Sequence, residues 1–201
     1  MTKKIIAVDL DGTLLNSESK LSDFTKETIK KISEKGHHVI ITTGRPYRMA
    51  KDFYRELELH TPMINFNGSL THLPGQAWEH EKCLTLDKKY LLDMVKRTED
   101  IQADFIAGEY RKKFYITTPN EEIADPKLFG VENFRPENQF KPERVTKDPN
   151  CILLQTRAED KYALANEMNR FYQHQLAINT WGGPLNILEC TPKGVNKAFA
   201  L

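Results

Sequence analysis

Four apolar residues in a row, Ile5-Ile6-Ala7-Val8, run without polar interruption into Asp9-Leu10-Asp11-Gly12-Thr13. An apolar run that does not alternate with polar residues predicts a strand buried on both faces of a parallel sheet, and such strands occur in α/β architectures. Asp9 and Asp11 then stand at its carboxyl end, where open α/β sheets bind their ligands, and Gly12 permits a sharp turn directly after the second carboxylate.

The segments that follow extend this reading. Leu21, Thr25, Ile29 and Ile32 keep helical spacing among lysines and glutamates, with Ser22 as the N-cap and Gly36 as the stop. Val39-Ile40-Ile41 predicts a second buried strand leading into Thr42-Thr43-Gly44-Arg45, and Pro46 opens a helix to about Leu59 from its first position. Met63 to Phe66 is a third short strand ending at Asn67-Gly68. The order β-α-β-α-β is the opening half of a doubly wound parallel sheet.

From about Thr85 the texture changes. Leu86, Tyr90, Leu91, Met94 and Val95 read as a helix, followed by strands at 103–107 and 114–117, a proline-studded loop-rich stretch, strand 152–155, helix 159–172 and strands 176–179 and 185–190. The expected organisation is a core of residues 1–84 and 191–201 with an α+β domain, residues 85–190, inserted into it. Val195, Ala198 and Phe199 keep helical spacing at the end, with Lys193 and Lys197 on one face if the helix begins that early.

Composition narrows the partners. Lys plus Arg total 29 against 28 Asp plus Glu, so no electrostatic field favours nucleic acid or an anionic membrane. Cys83, Cys151 and Cys190 are odd in number and widely spaced, which predicts reduced, half-buried thiols rather than disulfides or a zinc site. The N-terminus has only a short apolar stretch broken by carboxylates, so a cytoplasmic protein is expected, and the glycosylation-like triplet Asn67-Gly68-Ser69 carries no weight. His37-His38 read as residues before a strand, and Trp181-Gly182-Gly183 as either a substrate-facing turn or a plain loop anchored by an indole.

Phosphoryl transfer through a covalent intermediate needs a carboxylate nucleophile, an acid for the leaving oxygen, donors for the phosphoryl oxygens and a cation. Asp9, Asp11, Thr43 and a lysine supply candidates, and paired carboxylates favour a hard divalent ion such as Mg²⁺. With DLDGTLLN at 9–16, ITTGRP at 41–46, FNGS at 66–69 and ECTPKGVNKAFAL at the end, the chain resembles the haloacid dehalogenase-like hydrolases, specifically their Cof-type phosphatases with a large α/β cap. The resemblance covers the whole chain in order.

It implies a Mg²⁺-dependent phosphatase acting on small phosphorylated metabolites, such as sugar phosphates or phosphorylated cofactors, with the cap closing over the site. Asp9 is then the nucleophile that becomes aspartyl phosphate and a metal ligand, and Asp11 the general acid and base that gives the metal its carbonyl. Thr43 matches the second motif's hydroxyl, with Gly44 and Arg45 beside it on the substrate, and Asn67 matches a phosphate contact. Lys197 is the phosphate lysine, with Lys193 as runner-up. Family members continue past this lysine to a fourth motif, GDxxND, whereas this sequence stops at Leu201. Weaker Mg²⁺ binding is therefore expected, and two other readings stay open: an impaired phosphate-binding or interaction remnant, and a phospho-accepting receiver domain.

Overall fold

The computed structural model describes residues 2–173 and 175–201. The chain divides into two compact units, Met1–Cys83 with Asn196–Leu201, and Leu84–Val195.

In the first unit β1 (Ile5–Val8) lies parallel to β2 (His38–Ile41), in a register running from Ile5 opposite His38 to Val8 opposite Ile41. Between them α1 (Asp23–Glu34) begins at Ser22, whose hydroxyl accepts from the Thr25 N–H at 3.1 Å, satisfying one of the helix's orphan donors. The chain leaves the helix through Gly36 at φ +81°, a conformation that costs glycine little. Thr42, just past β2, bridges in parallel to Ile64 of β3 (Met63–Asn65), which places the three chain segments side by side. Val39, Ile41, Ile29, Ala50, Tyr54 and Met63 form one buried cluster beneath α1 and α2 (Tyr47–Glu56).

Three details depart from expectation. The first strand is not buried on both faces: Ile5 is 66% exposed and Ala7 is also exposed, because β2 is the only strand paired with β1 among the described residues. Pro46 stands at the N-cap of α2, one place before the first helical position. After β3 the chain adds β4 (Leu70–His72) and β5 (Lys82–Cys83) as an antiparallel β3-β4-β5 meander, with strands too short for a pattern of alternating residues to mark them.

The second unit opens with α3 (Lys88–Lys96). Its sheet contains β6 (Ala103–Glu109), β7 (Phe114–Ile116), β8 (Cys151–Thr156), β9 (Leu176–Thr180) and β10 (Ile187–Pro192), in the antiparallel order β7-β6-β8-β10-β9. Ile106, Ile152, Leu154 and Leu188 pack with Leu91 and Met94 of α3 and Ala165 and Met168 of α4 (Lys161–Phe171). The proline-studded stretch is ordered into three single 3₁₀ turns that begin at Pro126, Pro136 and Pro142, where the missing N–H and fixed φ suit a first helical position. At the sheet edge, Asn169 of α4 pairs with both backbone groups of Ile178: its amide donates to the carbonyl at 2.8 Å and its oxygen accepts from the N–H at 3.1 Å. A side chain thus caps hydrogen-bonding groups that an edge strand otherwise offers to another chain.

Lys161 holds the β9–β10 loop. Its ammonium is fixed on the backbone carbonyls of Trp181, Gly183 and Leu185 at 2.9, 3.0 and 2.8 Å, and the residue is only 6% exposed. A methionine there keeps the stem's packing but orphans the carbonyls, so Lys161→Met is expected to cost roughly 2–4 kcal/mol in urea unfolding. A loss below about 0.5 kcal/mol would show that water replaces the ammonium without penalty.

The cysteines form no disulfide, but Cys83 is exposed and Cys151 and Cys190 are buried, so none of the described sulfurs matches the half-buried state expected. Burial pushes the Cys151 and Cys190 thiols up, with Glu189 adding to the effect at both. Burial likewise pushes Tyr54 up to about 12, and raises Tyr110 and Tyr172. Unfolded cysteine and tyrosine release protons near pH ~8.5 and ~10, whereas the folded chain retains them. The native state therefore binds more protons above those values, and stability is full below about pH 8 and falls as pH rises. The urea midpoint is expected to drop between pH 8 and pH 10 by an amount equivalent to roughly 2 kcal/mol or more.

Candidate active site

The loop after β1 is shaped by two wide backbone hydrogen bonds, Leu14 N–H to the Asp9 carbonyl at 3.3 Å and Leu15 N–H to the Leu10 carbonyl at 2.9 Å. Within it Gly12 takes φ +69°, while Leu10 and Leu14 are buried as anchors. The loop thus carries Asp11 between two buried leucines, with Asp9 directly before the first of them.

Asp9 has both carboxylate oxygens engaged. Oδ1 accepts from its neighbour Leu10 N–H at 2.8 Å, and Oδ2 receives the ammonium of Lys197, which lies 188 positions along the chain. The ion pair is partly open, with side-chain exposures of 32% for Asp9 and 37% for Lys197. Lys197 sits in a single helical turn that begins at Asn196: the Asn196 side chain accepts from the Phe199 N–H at 2.9 Å, and the Asn196 carbonyl from the Ala200 N–H at 3.3 Å. Because the turn starts there, Lys193 precedes it and shares no helical face with Lys197. Lys193 belongs to the other unit and lines a groove with Asn166, Arg170 and Asn179.

Asp11 meets Arg45. The guanidinium donates from Nε to Oδ2 at 2.8 Å and from Nη2 to Oδ1 at 2.6 Å, a bidentate fork. Arg45 is itself held at several points. Its N–H donates to Thr43 Oγ1 at 3.1 Å, its carbonyl accepts from Asn65 Nδ2 at 2.9 Å, and its guanidinium carbon stands 5.5 Å from the centre of the Phe53 ring. Thr43 is fully buried, and with its oxygen accepting from Arg45 it keeps its O–H to donate.

Gly44 and Asn67 are matched by shape. A Cβ on Gly44 would come within 3.1–3.4 Å of the Asn67 side-chain amide, so the missing side chain is what admits that amide against the backbone. Asn67 in turn adopts φ +52° and donates its N–H to the Thr43 carbonyl at 3.1 Å, seating the two motifs against each other.

Asn65 and His72 are support residues that sequence reading passed over. Both are buried; Asn65 Oδ1 and His72 Nε2 are 3.0 Å apart, and the Tyr47 ring stands edge-on to His72 at 4.9 Å. The chain His72, Asn65, Arg45 carbonyl fixes the backbone from which the guanidinium projects. A polar residue inside a buried three-residue strand, followed by a histidine on the next strand, is the only signal that pointed there.

The donor set suits a hard cation only sparingly. Among the described residues no three His, Cys, Asp or Glu side chains come together as a metal group. Asp9 and the Asp11 carbonyl are oxygen donors of the type Mg²⁺ accepts, and that ion commonly binds through one or two carboxylates, substrate phosphate and retained water. The residues present therefore fit Mg²⁺ held in that manner.

A short parallel strand pair is thus followed by a loop whose two carboxylates meet a guanidinium and a lysine. The chain belongs to the haloacid dehalogenase-like hydrolases, whose family profile matches residues 6–201, and to their Cof-type branch. It is 30% identical to the 5-amino-6-(5-phospho-D-ribitylamino)uracil phosphatase YitU of Bacillus subtilis over 98% of this chain and 72% of that protein. Among solved structures it is similar to TM0651 from Thermotoga maritima, with a TM-score of 0.76 and 22% identity over 100% of this chain and 73% of that one. The subclass IIB sugar phosphatase BT4131 is similar at a TM-score of 0.75 and 19% identity, over 99% and 73% of the two chains. Its relatives include phosphatases, and no helix among the described residues is long and apolar enough to cross a membrane.

Proposed function

We propose that this protein is a Mg²⁺-dependent phosphomonoesterase for small phosphorylated metabolites, sugar phosphates or phosphorylated cofactors, working through an aspartyl phosphate on Asp9. The observation that carries the reading is the ion pair between Asp9 and Lys197, which joins the opening motif to the last segment of the chain.

In this mechanism an Asp9 carboxylate oxygen attacks phosphorus and the ester P–O bond breaks, while Asp11 gives its proton to the departing oxygen. Asp11 then takes a proton from water, whose oxygen attacks phosphorus, releasing phosphate and restoring Asp9. The Thr43 hydroxyl and the Asn67 amide donate to phosphoryl oxygens, with Gly44 leaving room for them, and Lys197 offsets the charge. Asp9 and the Asp11 carbonyl would hold Mg²⁺, which supplies further neutralisation of phosphoryl oxygens when bound. The choice of leaving group is assigned to residues 85–190, the inserted cap expected from the sequence. The 30% identity to a phosphatase of a phosphoribityl compound supports a polyhydroxylated leaving group. A panel of phosphate esters assayed for inorganic phosphate release, with Mg²⁺ and with EDTA, tests the assignment. Release that needs Mg²⁺ and favours sugar or polyol phosphates is expected, and metal-independent release or none from any ester would overturn it.

A further inference from the structure

Both oxygens of Asp11 are taken by one guanidinium, which conflicts with the work asked of that carboxyl. A group that hands a proton to a leaving oxygen needs one oxygen turned to the substrate, and the fork from Arg45 occupies Oδ1 and Oδ2 together. The two partners are unequally fixed. Arg45 has 21% of its side chain exposed, its backbone is held at the N–H by Thr43 and at the carbonyl by Asn65, and its guanidinium stands over Phe53, whereas Asp11 is 56% exposed and lies directly before Gly12 on a backbone stretch that is not helical. The cation is the anchored member and the carboxylate the movable one.

We propose that Arg45 is an exchangeable latch: at rest its fork holds Asp11, and an arriving phosphomonoester takes over the guanidinium, so that one side chain both binds the phosphoryl group and releases the acid. This rests on the phosphatase reading above. The exchange is chemically even, because the planar fork matches a carboxylate and a phosphoryl group with the same pair of N–H bonds. It breaks and forms no covalent bond. Arg45 is then a positioning residue for Asp11 as well as a contact of the substrate, and an ester too weakly charged to compete for it leaves the latch closed.

The competition can be read without turnover, in the full chain, with inorganic phosphate as the probe in calorimetric titrations. If Asp11 and phosphate compete for Arg45, Asp11→Asn should tighten phosphate binding by about tenfold, since an amide holds a guanidinium less strongly than a carboxylate does. Simple removal of a nearby negative charge would also tighten binding, so the decisive comparison is the same substitution in an Arg45→Met background. There the gain is expected to shrink below about twofold. Arg45→Lys, which keeps the charge and loses the fork, should likewise blunt the gain and guards against a background that merely folds poorly. Equal gains with and without Arg45, no gain in the Asp11→Asn chain, or no phosphate binding by any form would overturn the latch. An aspartyl phosphate on Asp9 forms or fails to form regardless of these affinities, so the two readings fail separately.

Discussion

Replacing Asp9 with asparagine is expected to lower phosphate release by about 10⁴-fold or more, a loss of the size seen when the attacking group of a covalent mechanism is removed. An amide oxygen is a poor nucleophile toward phosphorus, and the substitution also leaves the Lys197 ammonium facing a neutral group. The fold should hardly notice. Asp9 and Lys197 form a partly exposed pair, and such pairs contribute about 0–1 kcal/mol. The thermal midpoint should therefore stay within a few degrees while turnover disappears. Asp9→Asn protein that retains activity within tenfold of the parent would remove Asp9 from the nucleophile's role.

Lys197→Met is expected to show the next largest loss, about 10²–10³ in kcat, comparable to removing one oriented donor from a site of developing negative charge. The reasoning differs from that for Asp9. Lys197 forms no bond with the substrate, and its contribution is the field of an ammonium held against the attacking carboxylate and the phosphoryl oxygens. Its stability contribution is again small, for the same partly exposed pair. Lys193→Met serves as the contrast, since that residue lines a groove of the second unit and should alter kcat by less than about threefold. Similar losses from both lysines would contradict a specific pairing of Lys197 with Asp9.

What could be read in the amino-acid order was local. Ser22 as a helix cap, Gly36 as a stop and the strands around Val39 and Ile64 follow from side-chain chemistry acting over a few residues, and they occur where such rules place them. Family resemblance reached further and brought Asp9 and Lys197 together as candidates. Periodicity misjudged β1, because apolar residues mark what a strand can bury and not how many neighbours it has. The meander at 70–83 was missed because strands of two or three residues hold too few positions to show a period. The ITTGRP resemblance places Arg45 beside the substrate, but its fork onto Asp11 depends on a contact across 34 positions that only folding creates. The Asn65 and His72 pair was hidden for the same reason, since burial turns an ordinary polar residue into a structural support once a partner satisfies it.

The most direct test is to find the covalent intermediate. Quenching the protein in acid during turnover of a phosphate ester, followed by borohydride reduction and peptide mass spectrometry, should convert position 9 to homoserine and leave Asp11 untouched. The adduct should be alkali-labile and absent from Asp9→Asn protein. Turnover that proceeds with no trapped phosphate on Asp9, or with the label on another side chain, would contradict a carboxylate nucleophile at that position.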